Sequence, residues 1–204
     1  PAASRNTRRR VCMLAYSGYE TDGRIRRYAE ALARRGDLVD VIALQALNSS
    51  EKVTKLNGVT VYHVQHRDHN ESSHWIYASR LLRFLFRSSF VLTRLHRQNR
   101  YDVVHIHNMP DFLVFAAWYP KLKGARLILD IHDIVPELFA NKFKSALKSV
   151  YVSGLRFVEK LSTRFVDHVI ISNHLWLEKL TARSVRPSHC SVVVNLPDPE
   201  IFAR

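Results

Sequence analysis

A chain of 204 residues with 47% hydrophobic residues, 10% aromatics, 6 glycines and 7 prolines has the make-up of a folded globular protein. That excludes disordered and fibrous classes and leaves room for one large domain or two small ones. Lys and Arg total 31 against 18 Asp and Glu, a formal net charge of +13, so the expected partner is anionic: phosphate, nucleic acid or a membrane surface.

Cys12 and Cys190 are the only cysteines, which excludes a disulfide framework; both read as buried thiols in a reducing compartment. No apolar run approaches the ~18 residues of a membrane span, and the opening PAASRNTRRR lacks the apolar core of a signal peptide. The expected location is the cytoplasm.

The first strand-like run, RVCMLAY (10–16), leads into the polar segment SGYETDGR (17–24). Ile25, Tyr28, Ala29 and Leu32 then recur at helical spacing, with Asp22 placed as N-cap and Gly36 as the closing glycine. LVDVIAL (38–44) and VTVYHV (59–64) are the next strands, and KLNGV (55–59) supplies a turn before the second of them. A helix is predicted over about 74–99, then the strand DVVHIH (102–107), a helix over about 110–121 and the strand ARLILDI (125–131). Helices over about 143–165 and 174–182 flank DHVIIS (167–172), and SVVVN (191–195) is the last strand. Strands this uniformly apolar are buried on both faces. Their alternation with helices predicts an α/β fold, a doubly wound, Rossmann-like parallel sheet of about seven strands.

In such a sheet, ligands bind beyond the carboxyl ends of the strands. The segments SGYETDGR, HNMPDF (107–112), HDIVPE (132–137) and SNHL (172–175) are polar where the strands before them are apolar, so a site is expected there. Packing explains Leu127, Ile128, Leu129 and Ile131 but not the His132 and Asp133 that follow them. A core histidine bonded to backbone is the competing account of His132. Gly18 could offer its N–H, with the following helix N-terminus, to a phosphate; a tight turn that needs glycine is the other reading.

The absence of G-x-G-x-x-G and of a Walker A sequence counts against a dehydrogenase and a P-loop NTPase, and no nucleophile elbow or H-E-x-x-H supports a hydrolase. His105 and His107 share one face of a strand and would suit a metal if a carboxylate joined them. His63, His66 and His69 recur at intervals of three in what reads as a loop, with no cysteine or clustered carboxylate. No metal site and no cofactor are expected.

Three stretches, YSGYETDGRIRRYAEALARRGDLVDVIAL, YDVVHIHNMPDFLVFAAWYPKLKGARLILDIHDIVPELF and CSVVVNLPDPEIF, together resemble the N-terminal half of a bacterial retaining glycosyltransferase of family 4, with the GT-B fold. The resemblance implies a Rossmann-like acceptor-binding domain over 1–194 and an interdomain linker over 195–204. The donor half would lie in the same or a partner chain. It implies a nucleotide-sugar donor and a glycan or lipid-linked acceptor. It also implies that His132 stands at the sugar-transfer centre, that the loop around Gly18 approaches the donor diphosphate, and that Asn108 and Asp133 face acceptor or sugar hydroxyls. The family's E-x7-E motif falls in the second half, so residues 1–204 alone are expected to transfer no sugar.

HWIYASRLLRFLFRSSFVLTRLHRQNR (74–100) holds six arginines and no acidic residue. On a helix, Arg80, Arg83, Arg87, Arg94 and Arg97 share an arc of about 100°, and Phe86 and Phe90 project with or near them. That pattern suits an anionic membrane surface; a crossover helix with a wetted outer face is the alternative. A nucleic-acid-binding or a silent regulatory module would also fit the charge. Without helix-turn-helix, RRM or zinc-finger patterns, no nucleic-acid partner is expected.

Overall fold

Alternation along one strand sets the plan of the molecule. The structure, a computed structural model, describes residues 8–45, 51–66, 74–142 and 148–195. In β1 (Arg10–Gly18), Val11, Met13 and Ala15 belong to one buried cluster and Cys12 and Leu14 to another, so β1 carries a core on each face. The first core is closed by Ile25 and Ala29 of α1 (Gly23–Arg34). The second is closed by Phe84 and Leu92 of α2 (His74–Gln98) and by Leu113, Val114, Ala116 and Ala117 of a 3-10 segment, Asp111–Ala117. Each large side chain buried this way stabilises the fold by about 1.5–3 kcal/mol.

The remaining strands are β2 (Leu38–Gln45), β3 (Val53–Leu56), β4 (Val59–His66), β5 (Val103–His107), β6 (Arg126–Ile131), β7 (His168–Ile171) and β8 (Cys190–Val192). They form one sheet in the order β3-β4-β2-β1-β5-β6-β7-β8, parallel except for the β3–β4 pair. The doubly wound, Rossmann-like α/β class expected from the sequence is therefore the observed one. The winding reverses at β1, between β2 and β5, and that switch opens a crevice at the carboxyl ends of β1 and β5.

Among the described residues the sheet has eight strands, where the sequence predicts about seven. The extra one is β3. Leu56 pairs with Val59, so Asn57 and Gly58 form a two-residue hairpin loop, both with positive φ (50° and 80°). Asn-Gly is the preferred pair for such a loop, and the KLNGV turn is in fact a hairpin. β4 runs on to His66, which places His63 and His66 on a strand; His69 lies outside the described residues. His63 is buried, with Nδ1 at 3.2 Å from the Leu44 carbonyl and Nε2 at 3.1 Å from Thr54 Oγ1, so structural contacts account for it.

The helix expected over 110–121 is instead the 3-10 segment followed by α3 (Trp118–Leu122). Pro120 supplies no N–H to the Ala116 carbonyl and its ring crowds that group, so a continuous α-helix is not available. The segment after β6 is helical, α4 (Val135–Lys142), where no helix is predicted before about residue 143; Pro136 sits in its first turn, where its missing N–H costs nothing. α5 (Lys148–Phe165) and α6 (His174–Thr181) agree with the predicted helices, residues 143–147 lying outside the described set. Cys12 is fully buried and Cys190 only partly so.

Arg183, just beyond α6, ties three helices together. Its guanidinium donates to Glu159 of α5 (2.8 and 2.6 Å) and to Glu137 of α4 (2.5 and 2.9 Å). Closer to the crevice, Asp22 caps α1, its Oδ1 accepting from the N–H of Arg24 (3.2 Å) and of Ile25 (3.3 Å). Gly36 (φ 100°) closes the same helix. Replacing Asp22 by Ala removes that cap, and urea denaturation should show a loss of about 1 kcal/mol.

Candidate functional site

The crevice is a cleft of about 840 Å³. Its walls are Ala15, Tyr16 and Ser17 from β1, Thr21 to Arg24 and Arg27 from the loop and first turns of α1, His107 at the end of β5 with Asn108 and Met109 after it, and His132 and Asp133 after β6. Tyr77 of α2 and Asn195 close the rim.

At the base of the cleft, a carboxylate stands in the interior of the sheet. Asp130 of β6 is completely buried and accepts two hydrogen bonds from the buried Arg24, Nε to Oδ2 at 3.0 Å and Nη2 to Oδ1 at 2.5 Å. His105 Nε2 and His107 Nδ1 lie 3.6 and 3.4 Å from Asp130 Oδ2. Burial alone would raise the Asp130 carboxyl; His105, His107 and Arg24 more than reverse this and hold it well below the usual carboxylate range. Asp130 is therefore an anion at any pH near neutrality.

The imidazoles form a stack that runs from this carboxylate to the cleft. His105 and His107 have ring centroids 4.3 Å apart, and His107 and His132 are 5.7 Å apart with planes 14° from parallel. Burial, and then the neighbouring His105, push His107 down to about 4. Burial also lowers His132, against the pull of Asp130. Both rings are consequently neutral at pH 7, and His132 presents to the cleft an imidazole that can donate or accept a hydrogen bond.

The backbone of His132 is held from both sides. Its N–H donates to Asn108 Oδ1 (3.0 Å), and its carbonyl accepts from Ser172 Oγ (2.9 Å). Asn108 Nδ2 donates to the Asp133 carbonyl (2.7 Å) and to Asp111 Oδ1 (3.1 Å). The amide of Asn108 thus laces the loop after β5 to the loop after β6, and Ser172 adds the end of β7. Asp111 lies beneath; burial, opposed by Asn108, pushes its carboxyl up to about 7.

Of the residues expected at a site, His132, Asp133 and Asn108 all line this one cleft. Asp133 is exposed, whereas Asn108 is buried and spends its side chain on the three protein contacts above. Gly18 stands behind the wall. Its carbonyl accepts from the N–H of Thr21 (3.3 Å) and Asp22 (3.1 Å), and a Cβ there would lie 3.1 Å from Thr21 Oγ1. Arg24, Asp130 and Arg27 are absent from the residues expected on sequence. A single acid inside an otherwise apolar two-sided strand was the available signal for Asp130.

Asp130 also supplies the carboxylate that His105 and His107 lacked in the sequence, and the ligand atoms of the three lie within 4.8 Å of one another. The guanidinium of Arg24 already balances that carboxylate. A dication in the same place would add buried positive charge beside Arg24, so the triplet reads as an ion-pair core.

The arginine helix borders a second concavity, of about 890 Å³, between α2 and β4. Phe86 and Phe90 flank it, each 70% exposed, with Arg87 and Arg94 beside them. Arg87 donates to the Val64 carbonyl (3.3 Å), and Arg97 lies over the Tyr119 ring at 5.1 Å. Arg83 and Arg94 are exposed and Arg80 is half-buried. Among the described residues no helix is long and apolar enough to cross a membrane.

Removal of Arg24 strands a buried carboxylate. Arg24→Met should cost about 3–5 kcal/mol in urea denaturation at neutral pH, and Arg24→Met combined with Asp130→Asn should cost clearly less.

The fold has counterparts of known structure. Sucrose-phosphate synthase from Thermosynechococcus elongatus superposes with a TM-score of 0.73 at 14% identity, over 95% of this chain and 50% of that one. The crystal structure of HepE from Anabaena in complex with UDP and glucose gives 0.56 at 13% identity, over 94% and 46%. The lipopolysaccharide outer core galactosyltransferase WaaB gives 0.54 at 11%, over 93% and 46%. The chain thus spans about half the length of these structures. No curated protein shows a significant match to the sequence. The model of the glycosyl transferase 4-like domain matches residues 22–195, nearly the whole described structure, and on that ground the chain belongs to the glycosyl transferase 4-like family, with the N-terminal domain architecture of GT-B glycosyltransferases.

Proposed function

We propose that this chain is the acceptor-facing half of a retaining hexosyltransferase that moves a sugar from a nucleotide-sugar donor to a lipid-linked or polysaccharide acceptor. The observation that carries the reading is His132: a neutral imidazole at the mouth of the cleft, on a backbone held at both its N–H and its carbonyl. A group held this firmly can orient a sugar hydroxyl without reorganising during the reaction. The likeness to a protein solved with UDP and glucose supports a nucleotide-sugar donor.

In this reading the donor phosphate lies against the loop around Gly18. Ser17 Oγ is buried there with no hydrogen-bond partner among the described residues. Asp133, exposed at the rim, faces acceptor hydroxyls, and Asn108 acts through the loops it laces. The bond from the sugar's anomeric carbon to phosphate oxygen breaks as the acceptor oxygen attacks from the same face. The acceptor's proton leaves with the departing phosphate, so no strong protein base is required. The donor-binding half, in the same or a partner chain, supplies the rest of the cleft.

His132→Ala in the complete two-domain enzyme should lower turnover by about 10²-fold or more with little change in thermal midpoint. Normal turnover by a folded variant would make His132 a core residue. The 204-residue chain alone should release no nucleotide from a UDP-sugar, and measurable turnover by it would overturn the division of labour.

The exposed Phe86 and Phe90 beside Arg83 and Arg94 support docking of α2 on an anionic membrane, where a lipid-linked acceptor would reside. Replacing Arg83 and Arg94 by Gln should weaken binding to phosphatidylserine vesicles by about 1 kcal/mol for each charge, and raised salt should mimic the effect. Indifference of the unaltered chain to such vesicles at low salt would leave the stripe a solvated face.

A further inference from the structure

At the opposite end of the sheet from the cleft lies a third concavity, of about 830 Å³. It is framed by the first residues of β6 and β7, the C-terminal turns of α5 and the turn after α6. Lys121, Arg126, Lys160, Arg164 and Arg186 surround it, and Asp167 is the acidic residue in its wall. Arg183 also borders it, but Glu137 and Glu159 already match that charge.

Asp167 cannot balance the rest. Its Oδ2 accepts from the Leu127 N–H at 2.8 Å, and its ion-pair contacts are Arg126 at 3.4 Å and Lys121 at 4.0 Å. Lys160, Arg164 and Arg186 are exposed and have no carboxylate partner among the described residues. Cations at helix C-termini stabilise the helix dipole, which accounts for Lys121 in the last turn of α3 and Arg164 in the last turn of α5. It does not account for Arg126 on a strand, Lys160 before the last turn of α5, or Arg186 in a connecting turn. Those three converge on the same hollow.

We propose that this hollow is an anion-binding site for a compact, phosphate-rich ligand, separate from the cleft. Its volume falls within the range of small-ligand pockets, and cations gathered in one concavity suit a short oligophosphate better than a polymer, which needs a continuous stripe. The same chemistry is offered by a soluble oligophosphate and by a phosphorylated lipid headgroup. Neither would touch the residues of the cleft, so the site is independent of the reading given above for His132.

Titration of the chain with inorganic triphosphate at low salt, followed calorimetrically and by backbone amide shifts, should show salt-dependent binding with shifts at residues 181–189. The variant carrying Lys160→Gln, Arg164→Gln and Arg186→Gln should bind at least tenfold more weakly. Arg83→Gln with Arg94→Gln, on α2, should leave triphosphate binding unchanged. All three altered side chains in the hollow are exposed, and an unchanged thermal midpoint verifies that the variant is folded. A parallel arm with vesicles carrying a phosphoinositide assigns the source: loss of vesicle binding in the triple variant, without triphosphate binding by the parent, means a headgroup. The proposal is overturned if the triple variant binds both probes as the parent does, or if the parent binds neither.

Discussion

The buried ion pair between Arg24 and Asp130 is the constraint on which the site depends. A carboxylate in the middle of a sheet is tolerable only with a partner that supplies charge and directed hydrogen bonds together, and the fork of a guanidinium does both. Because Arg24 comes from the first turn of α1 and Asp130 from β6, the pair also reaches across β5 and ties the two sides of the winding reversal together. The N-terminus of α1 is thereby located relative to the end of β6, and residues of that N-terminus and of the segment after β6 line the same cleft.

From that carboxylate the histidine stack extends outward. Asp130 favours protonation of its neighbours, while burial disfavours it, and burial prevails at His107 and at His132. The outcome is that the His107 and His132 rings are neutral beside a fixed negative charge. The outermost ring of the stack is also secured through the main chain. The side chains of Asn108 and Ser172 hold His132 by its peptide groups and leave its imidazole to the cleft. Orientation and protonation of one side chain are thus set by different parts of the structure, one by backbone lacing and the other by burial.

The large positive charge is divided among regions with different surroundings. Arg24 is consumed in the interior and Arg183 in an inter-helix clamp. Arg87 and Arg97 lean on a carbonyl and a tyrosine ring. Two further groups of exposed cations lie on α2 and around the hollow at the far end of the sheet, while others such as Arg34, Lys55 and Arg156 are exposed elsewhere. A doubly wound fold brings helix C-termini to that far end, where cations are favoured, so topology alone concentrates part of the charge there.

The sequence by itself determined the class of fold and the end of the sheet at which to look. Apolar runs with helical patterns between them admit few arrangements other than a wound parallel sheet, and the polar residues that follow those runs are delivered to its carboxyl edge. His132, Asn108 and Asp133 were legible for that reason. The Asp22 cap and the Gly36 terminus were legible because capping depends on residues adjacent in the chain. Which side chains Asp130 and Arg24 would meet was decided only in three dimensions, since 106 residues separate them and periodicity is silent about contacts between distant segments. The commitment of Asn108 to backbone groups belongs to the same class, as does the neutrality of His107 and His132. Both arise from burial and from partners on other strands, and these exist only once the sheet has assembled.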